Sequence, residues 1–137
     1  MTLRCLIVDD SRRFLDAARG LLERQGITVV GVASTGVDAL RLAEELRPDV
    51  TLLDIDLGGE SGFEVAGRLS RRANGSPSTI ILISTHDGQD FADLIAASPA
   101  VGFLSKSALS AAGIRDLLDS QGLDPGGTKS PSGPGGR

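Results

Sequence analysis

The sequence predicts an α/β protein built on one open, doubly wound parallel sheet of five strands with five helices. Short runs of β-branched and other apolar residues alternate with amphipathic stretches, which is the pattern of repeated βαβ units. The apolar runs fall short of the roughly 20 residues that a membrane span requires. With 137 residues, of which 40% are hydrophobic, the chain is long enough for one domain with its own core.

Strands are predicted where a short apolar run is bounded by polar or turn-forming residues. The five predicted strands cover residues 4–8, 28–33, 50–54, 79–84 and 101–105. Their near-continuous apolar character is typical of strands that are covered on both faces of a parallel sheet.

Helices are predicted in the segments between the strands. In the first, apolar residues recur at helical spacing from Phe14 to Leu22, and Gly26 follows as a left-handed cap. The second covers residues 36–46, with Ser34 or Thr35 as the N-cap.

The last three helices are shorter or less sharply bounded. The third is marked by Phe63 and the apolar positions after it, and it ends near a turn at Asn74-Gly75. The fourth is short and stops before Pro99, which cannot donate a backbone hydrogen bond. The fifth covers residues 109–118.

Composition divides the chain into a folded domain at residues 1–122 and a flexible tail or linker at residues 123–137. In the last fourteen residues, eight are Gly or Pro and none could build a core. The amino terminus leads directly into a strand-like run without a signal-peptide pattern, so we expect a cytoplasmic protein. The single cysteine, Cys5, lies in an apolar run and is expected to be buried and unreactive.

The charge balance also restricts the partners. A net charge of -4 and a pI near 4.9 argue against direct nucleic-acid binding, which needs a basic surface to neutralise phosphates. Together with the short apolar runs, this predicts a protein that binds neither nucleic acid nor membrane.

Polar residues follow four of the predicted strands. They are Asp9 and Asp10, Asp54, Ser84, and Lys106. Because the carboxyl ends of parallel strands share one edge, we expect these side chains to meet in one crevice. Several carboxylates there would repel one another unless a divalent cation lay among them, and Mg²⁺ prefers a few carboxylates plus phosphate oxygens.

Lys106 is unusual in a chain with twelve arginines and only two lysines. Its compact ammonium suits a phosphate oxygen, and the Ser84 hydroxyl could take another. Each residue alone has a simpler interpretation: an aspartate pair can cap a helix, Ser84 can be a loop hydroxyl, and Lys106 a surface charge. Their occurrence in order, each at a strand end, favours a phosphoryl-handling site.

The motifs LIVDD, LLDIDLGGESG, IILIST and GFLSK, in this order, resemble the receiver domains of two-component response regulators. The resemblance covers about residues 3–121. It implies a flavodoxin-like sheet with strand order 2-1-3-4-5. It also implies that Asp54 accepts a phosphoryl group from a phosphohistidine on a sensor histidine kinase or phosphotransfer protein.

The same resemblance assigns a Mg²⁺ site. It implies that Asp10 and Asp54 bind the ion directly, that the backbone carbonyl of Asp56 joins them, and that Asp9 acts through water. No other cofactor is expected.

The resemblance assigns further roles around the phosphoryl group. Ser84 and Lys106 would contact it, and Phe103 would be the aromatic switch residue, coupled to movement of Ser84. Without the resemblance, Phe103 would be taken for a core residue. His86, two residues after Ser84, would affect the access of water to the phosphoryl group, although an exposed loop histidine is the simpler interpretation.

By resemblance, phosphorylation changes the face formed by the fourth helix, the fifth strand and the fifth helix. A downstream protein or a second copy of the chain would bind there. Apart from its own phosphotransfer and autodephosphorylation, no enzyme activity is expected. We expect a stand-alone receiver; the alternative is a longer regulator that continues into a helix-turn-helix domain.

The sequence leaves two other functions open. The segment around Asp54 also resembles the first motif of haloacid-dehalogenase-like phosphatases, with Asp54 as nucleophile and Asp56 as general acid/base. That family places its nucleophile on the first strand, whereas here Asp9 and Asp10 come first. The other is a receiver-like interaction module that never accepts phosphate.

Overall fold

The computed structural model of the chain describes residues 2–72, 79–86 and 88–120. Its strands are β1 (Arg4–Val8), β2 (Thr28–Ala33), β3 (Val50–Asp54), β4 (Thr79–Ser84) and β5 (Gly102–Ser105). They form one parallel sheet in the order β2-β1-β3-β4-β5, which confirms the predicted flavodoxin-like topology. The first four strands have their predicted bounds.

The fifth strand begins one residue later than predicted. The N–H of Val101 donates to the carbonyl of Ile80 at 2.8 Å, but the residue-by-residue pairing of β4 with β5 begins at Ile81 and Gly102. Val101 therefore precedes the strand and is not its first residue.

The helices alternate with the strands as predicted. They are α1 (Arg12–Arg24), α2 (Gly36–Leu46), α3 (Gly62–Arg72), α4 (Ala92–Ala97) and α5 (Ala111–Ser120), and short 3₁₀ turns cover Gly88–Phe91 and Lys106–Ala108. Thr35 is the N-cap of α2, since its hydroxyl accepts the N–H of Asp38 at 3.2 Å. Gly26 has a φ of +92° just after α1, as expected for a left-handed cap. Within the described ranges, each helix is too short or too polar to cross a membrane.

The prediction for α5 was wrong by two residues at each end. Ser110 begins the helix: its hydroxyl accepts the N–H of Gly113 at 2.9 Å, and its carbonyl accepts that of Ile114 at 3.1 Å. Leu109 instead closes the preceding 3₁₀ turn through Lys106. The turn predicted at Asn74-Gly75 and the tail predicted at residues 123–137 lie outside the described residues.

The sheet has one apolar layer on each face. On one face, apolar side chains of the strands pack against α1 and α5. On the other face, apolar side chains of the strands pack against α2 and α3. Cys5 is fully buried in the first layer, and burial raises the pKa of its thiol to about 12. With both faces covered, the strand ends are left as the place where polar side chains can gather.

Candidate functional site

Strand order and register bring the predicted site residues to one edge of the sheet. Asp54 is the last residue of the central strand β3. Its neighbours are β1, which Asp9 follows directly, and β4, which ends at Ser84. Ser84 pairs with Ser105 of β5, and Lys106 comes next. The four strand ends therefore lie side by side.

Three carboxylates form a cluster at this edge. Asp9, Asp10 and Asp54 each offer an oxygen, and the three oxygens lie within 4.8 Å of one another. Asp9 and Asp54 are buried, whereas Asp10 is exposed. The N-cap of α1 is Ser11, whose hydroxyl accepts the N–H of Phe14 at 3.2 Å. The aspartate pair is therefore not the helix cap, which was its simpler interpretation.

Lys106 is the cation of the cluster. Its Nζ lies 2.5 Å from Asp9 Oδ2 and 3.3 Å from Asp54 Oδ2, and it sits 4.4 Å from the centre of the Phe14 ring. Only 14% of its side chain is exposed, so it is not a surface charge. Burial disfavours the charged ammonium, but the hydrogen bond to Asp9 and the charges of both aspartates outweigh this and raise its pKa.

For Asp54, in contrast to Lys106, the effect of burial on the pKa outweighs that of the favourable partners. Burial raises the pKa of its carboxyl and the charge of Asp9 adds to that effect, while the N–H of Asp56 and the ammonium of Lys106 lower it. The net result is a pKa of about 6, above the ordinary 3.8. Lys106 compensates Asp54 incompletely because it is closer to Asp9. The folded protein therefore holds a carboxylate that is costly to ionise, as expected at a reactive site.

This pKa predicts that the Asp54→Asn variant is more stable than the wild type at pH 7.5 without divalent cations. A folded-state pKa of about 6 against 3.8 means that wild-type folding loses stability as pH rises from about 4 through 6. Asparagine does not titrate, so its advantage in free energy of unfolding should reach the order of 2 kcal/mol above pH 7. Denaturant titrations at pH 4.5 and 7.5 measure the difference; an advantage that does not grow with pH contradicts the prediction.

Ser84 lies at the edge but is held by its own loop. Its side chain is buried, and its hydroxyl accepts the N–H of His86 at 2.9 Å. The His86 Nδ1 lies 3.5 Å from the same oxygen, and the exposed His86 ring meets Phe91 edge-on at 6.0 Å. Phe103 is half-buried against the second apolar layer, where its ring packs closely on Gly88.

The loop after β3 folds back over the cluster. The N–H of Asp56 donates to Asp54 Oδ1 at 3.2 Å, and the exposed side chain of Asp56 accepts the N–H of Gly58 at 3.1 Å. Gly58 has a φ of +65°, and a Cβ there would lie 2.6 Å from Asp10 Oδ2. A side chain at this position would therefore displace Asp10 or the loop.

Two contacts at the site could not be read from the strand ends. Phe14 was predicted only as an apolar residue of α1, yet its ring lies against Lys106. Glu60, in the loop after β3, accepts the N–H of Gly36 at the start of α2. The sequence contains a signal for Phe14, because it lies one helical turn beyond Asp10 and so on the side of α1 that faces the site. It contains no such signal for an acidic loop residue such as Glu60.

Comparison with known sequences gives consistent matches. The family model described as response regulator receiver domain matches residues 5–119. The response regulator GacA of Pseudomonas aeruginosa is 32% identical over 107 residues, which are 77% of this chain and 49% of GacA. Protein PilH of the same organism is 37% identical over 84 residues, which are 61% of this chain and 69% of PilH.

Solved structures give matches of the same kind. The signal receiver domain of NarL from Mycobacterium tuberculosis has a TM-score of 0.74 and 30% identity, covering 87% of this chain and 95% of that one. The response regulator domain of Thermotoga maritima CheB has a TM-score of 0.69 and 27% identity, covering 88% and 92%. The chain spans about half the length of several curated regulators that it matches, at 48% to 49%.

Proposed function

This chain belongs to the response regulator receiver family, and we propose that Asp54 accepts a phosphoryl group from a phosphohistidine. The main support is the position of the buried Asp54 carboxylate at the end of the central strand. It lies 3.3 Å from the Lys106 ammonium and beside two further aspartates. Receiver domains partner with histidine kinases or phosphotransfer proteins, so a protein of that kind is the proposed donor.

In the proposed reaction an Asp54 oxygen attacks the phosphorus of the phosphohistidine. The P–O bond forms as the P–N bond breaks, and the imidazole nitrogen that leaves takes up a proton. Asp54 becomes an acyl phosphate, which water later cleaves to restore the carboxylate. The contribution of this chain is position and charge: Lys106 stands where it can neutralise a phosphoryl oxygen, as phosphoryl transfer requires.

The acidic cluster fits the Mg²⁺ ion that the receiver family generally uses. The oxygens of Asp9, Asp10 and Asp54 lie within 4.8 Å of one another, and hard carboxylate oxygens are the donors that Mg²⁺ selects. We assign Asp10, Asp54 and the backbone carbonyl of Asp56 as ligands, with Asp9 acting through water. When bound, the ion would supply positive charge to the phosphoryl oxygens.

The response to phosphorylation is proposed to begin at Ser84. Its hydroxyl accepts the N–H of His86 at 2.9 Å and keeps its own hydrogen to donate to a phosphoryl oxygen, and the movement that brings the two together would be one of the loop after β4. Phe103 is the proposed switch residue that moves with it. His86 lies beside Ser84 and is proposed to affect the access of water. The responding face is α4, β5 and α5, where a downstream protein or a second copy would bind.

The proposed receiver domain covers residues 1–122, and residues 123–137 are a proposed tail or linker. The family match at residues 5–119 supports the first boundary. Because the chain spans about half of several related regulators, a longer protein with an output domain is an alternative to the stand-alone receiver.

The proposal predicts a hydroxylamine-sensitive phosphoprotein after incubation with acetyl phosphate and Mg²⁺. Hydroxylamine cleaves an acyl phosphate under mild conditions but not a phosphoserine ester, so this sensitivity separates Asp54 from a phosphorylated Ser84. A phosphate-affinity gel measures the shifted band, and samples with EDTA are the control. We expect most of the wild-type chain to shift with Mg²⁺ and little to shift with EDTA.

Assays with a phosphorylated histidine kinase and with p-nitrophenyl phosphate distinguish the alternatives. No shifted band with either acetyl phosphate or a phosphorylated histidine kinase would indicate an interaction module. Sustained release of phosphate over many turnovers from p-nitrophenyl phosphate would indicate a phosphatase. Either result would overturn the proposed function.

A further inference from the structure

The Glu60 side chain ties the loop after β3 to both neighbouring helices. Its Oε1 accepts the N–H of Gly36, the first residue of α2, at 2.9 Å. Its Oε2 lies 3.5 Å from the guanidinium of Arg68 on α3. The α2 N-terminus already has Thr35 as its cap, so Glu60 is an additional partner at that end. A carboxylate suits the place because helix N-termini attract negative charge.

The backbone around Glu60 connects its hydrogen bond with Gly36, here called the Glu60–Gly36 tie, to the acidic cluster. The N–H of Leu57 donates to the carbonyl of Glu60 at 2.9 Å, which closes residues 57–60 into a compact turn, here called the 57–60 turn. Within it, Gly58 packs on the Asp10 carboxylate so closely that a Cβ would lie 2.6 Å from Oδ2. A shift of Glu60 would therefore move the backbone that contacts Asp10 and that follows Asp54.

We propose that Glu60 is a positioning residue for the Mg²⁺ site, acting by fastening the 57–60 turn to α2. The inference rests on the proposed function, because it concerns the ion that Asp10, Asp54 and the Asp56 carbonyl would hold. Glu60 touches neither the ion nor the phosphoryl group. It fixes the loop that carries the Asp56 carbonyl and that contacts the Asp10 carboxylate.

Gly36 is the matching half of this contact. A Cβ at position 36 would overlap the Glu60 carboxylate and would lie 2.9 Å from Val65 Cγ2. Only glycine lets the carboxylate reach the backbone N–H at this point. The same tie can therefore be broken from either side, at Glu60 or at Gly36.

The test is calorimetric titration of the unphosphorylated chain with Mg²⁺. For Glu60→Ala we expect Mg²⁺ affinity about tenfold weaker, the range seen when residues that orient metal ligands are removed. Glu60→Gln keeps an acceptor for Gly36 and should lie between Glu60→Ala and the wild type. The matched control is Glu64→Ala, which also removes an Arg68 partner, at 3.9 Å, but from an exposed site on α3; it should bind like the wild type.

A positioning role gives three further signatures. Phosphorylation of Glu60→Ala by acetyl phosphate should recover to near the wild-type rate at saturating Mg²⁺, because only ligand placement is affected. Gly36→Ala should weaken Mg²⁺ binding similarly, and the double variant should be no weaker than either single one, since both break one contact. Amide NMR shifts of residues 36 and 58 report the tie directly.

The outcomes separate this inference from the proposed function. A wild type that does not bind Mg²⁺ overturns both. A wild type that binds Mg²⁺, with equal affinity in Glu60→Ala, overturns the inference alone. If Glu60→Ala does not fold in thermal melts, Glu60→Gln against Glu64→Gln decides, and equal affinities of those two variants overturn it.

Discussion

Replacement of Asp54 by asparagine is expected to abolish phosphorylation by both acetyl phosphate and a phosphorylated kinase. The amide keeps the size of the side chain but is not a nucleophile, so no acyl phosphate can form at the end of β3. The variant should still fold, and at neutral pH without divalent cations it should be more stable than the wild type. A phosphate-affinity gel over the wild-type time course measures the loss, which should be complete.

Asp56→Asn is the matched control for this variant. The exposed Asp56 side chain accepts the N–H of Gly58 at 3.1 Å, and an asparagine oxygen can do the same. Its proposed contribution to the metal site is a backbone carbonyl, which the substitution preserves. We therefore expect near-normal phosphorylation. A large loss in Asp56→Asn would favour the phosphatase alternative, in which that carboxyl is the acid/base, and a phosphorylated Asp54→Asn would place the acceptor elsewhere.

The fold could be predicted closely because the strands are short apolar runs with clear polar boundaries. The error in α5 arose because a side chain, and not the apolar pattern, sets the boundary of that helix. The start of α5 depends on the Ser110 hydroxyl, and an apolar pattern that includes Leu109 does not show that this residue belongs to the turn before it. Helix ends of this kind are decided by capping hydrogen bonds worth about 1 kcal/mol.

The site could be predicted as far as its residues come from strand ends. Asp9, Asp54 and Lys106 meet because a parallel sheet places such positions at one edge. The contacts of Phe14 and Glu60 depend on how helices pack beside that edge, which no local pattern records. The roles of the site residues stay predictions, because the structure shows which side chains are in contact and the phosphorylation of the variants measures what each one does.

Replacement of Lys106 by methionine is expected to affect both the resting protein and its chemistry. Methionine fills similar space but leaves Asp9, which is fully buried, without the cation 2.5 Å away. Removing one partner of a buried ion pair costs about 3 kcal/mol, so the free energy of unfolding should fall by that order at pH 7.5 without Mg²⁺. Phosphorylation at saturating Mg²⁺ should slow by about 100-fold, because the positive charge that would neutralise a phosphoryl oxygen is lost.

Arg41→Met is the control for removal of a cation, because Arg41 pairs with Asp38 and Glu45 on the exposed face of α2. Exposed pairs contribute little, so its stability should change by less than about 1 kcal/mol. Adding Asp9→Asn to Lys106→Met should restore much of the lost stability, since the uncompensated charge is then gone, but it should not restore the phosphorylation rate. If stability recovers and the rate of the double variant equals that of Asp9→Asn alone, Lys106 acts only as the counter-ion of Asp9. A rate well below that of Asp9→Asn alone gives Lys106 a second, separate role toward the phosphoryl group.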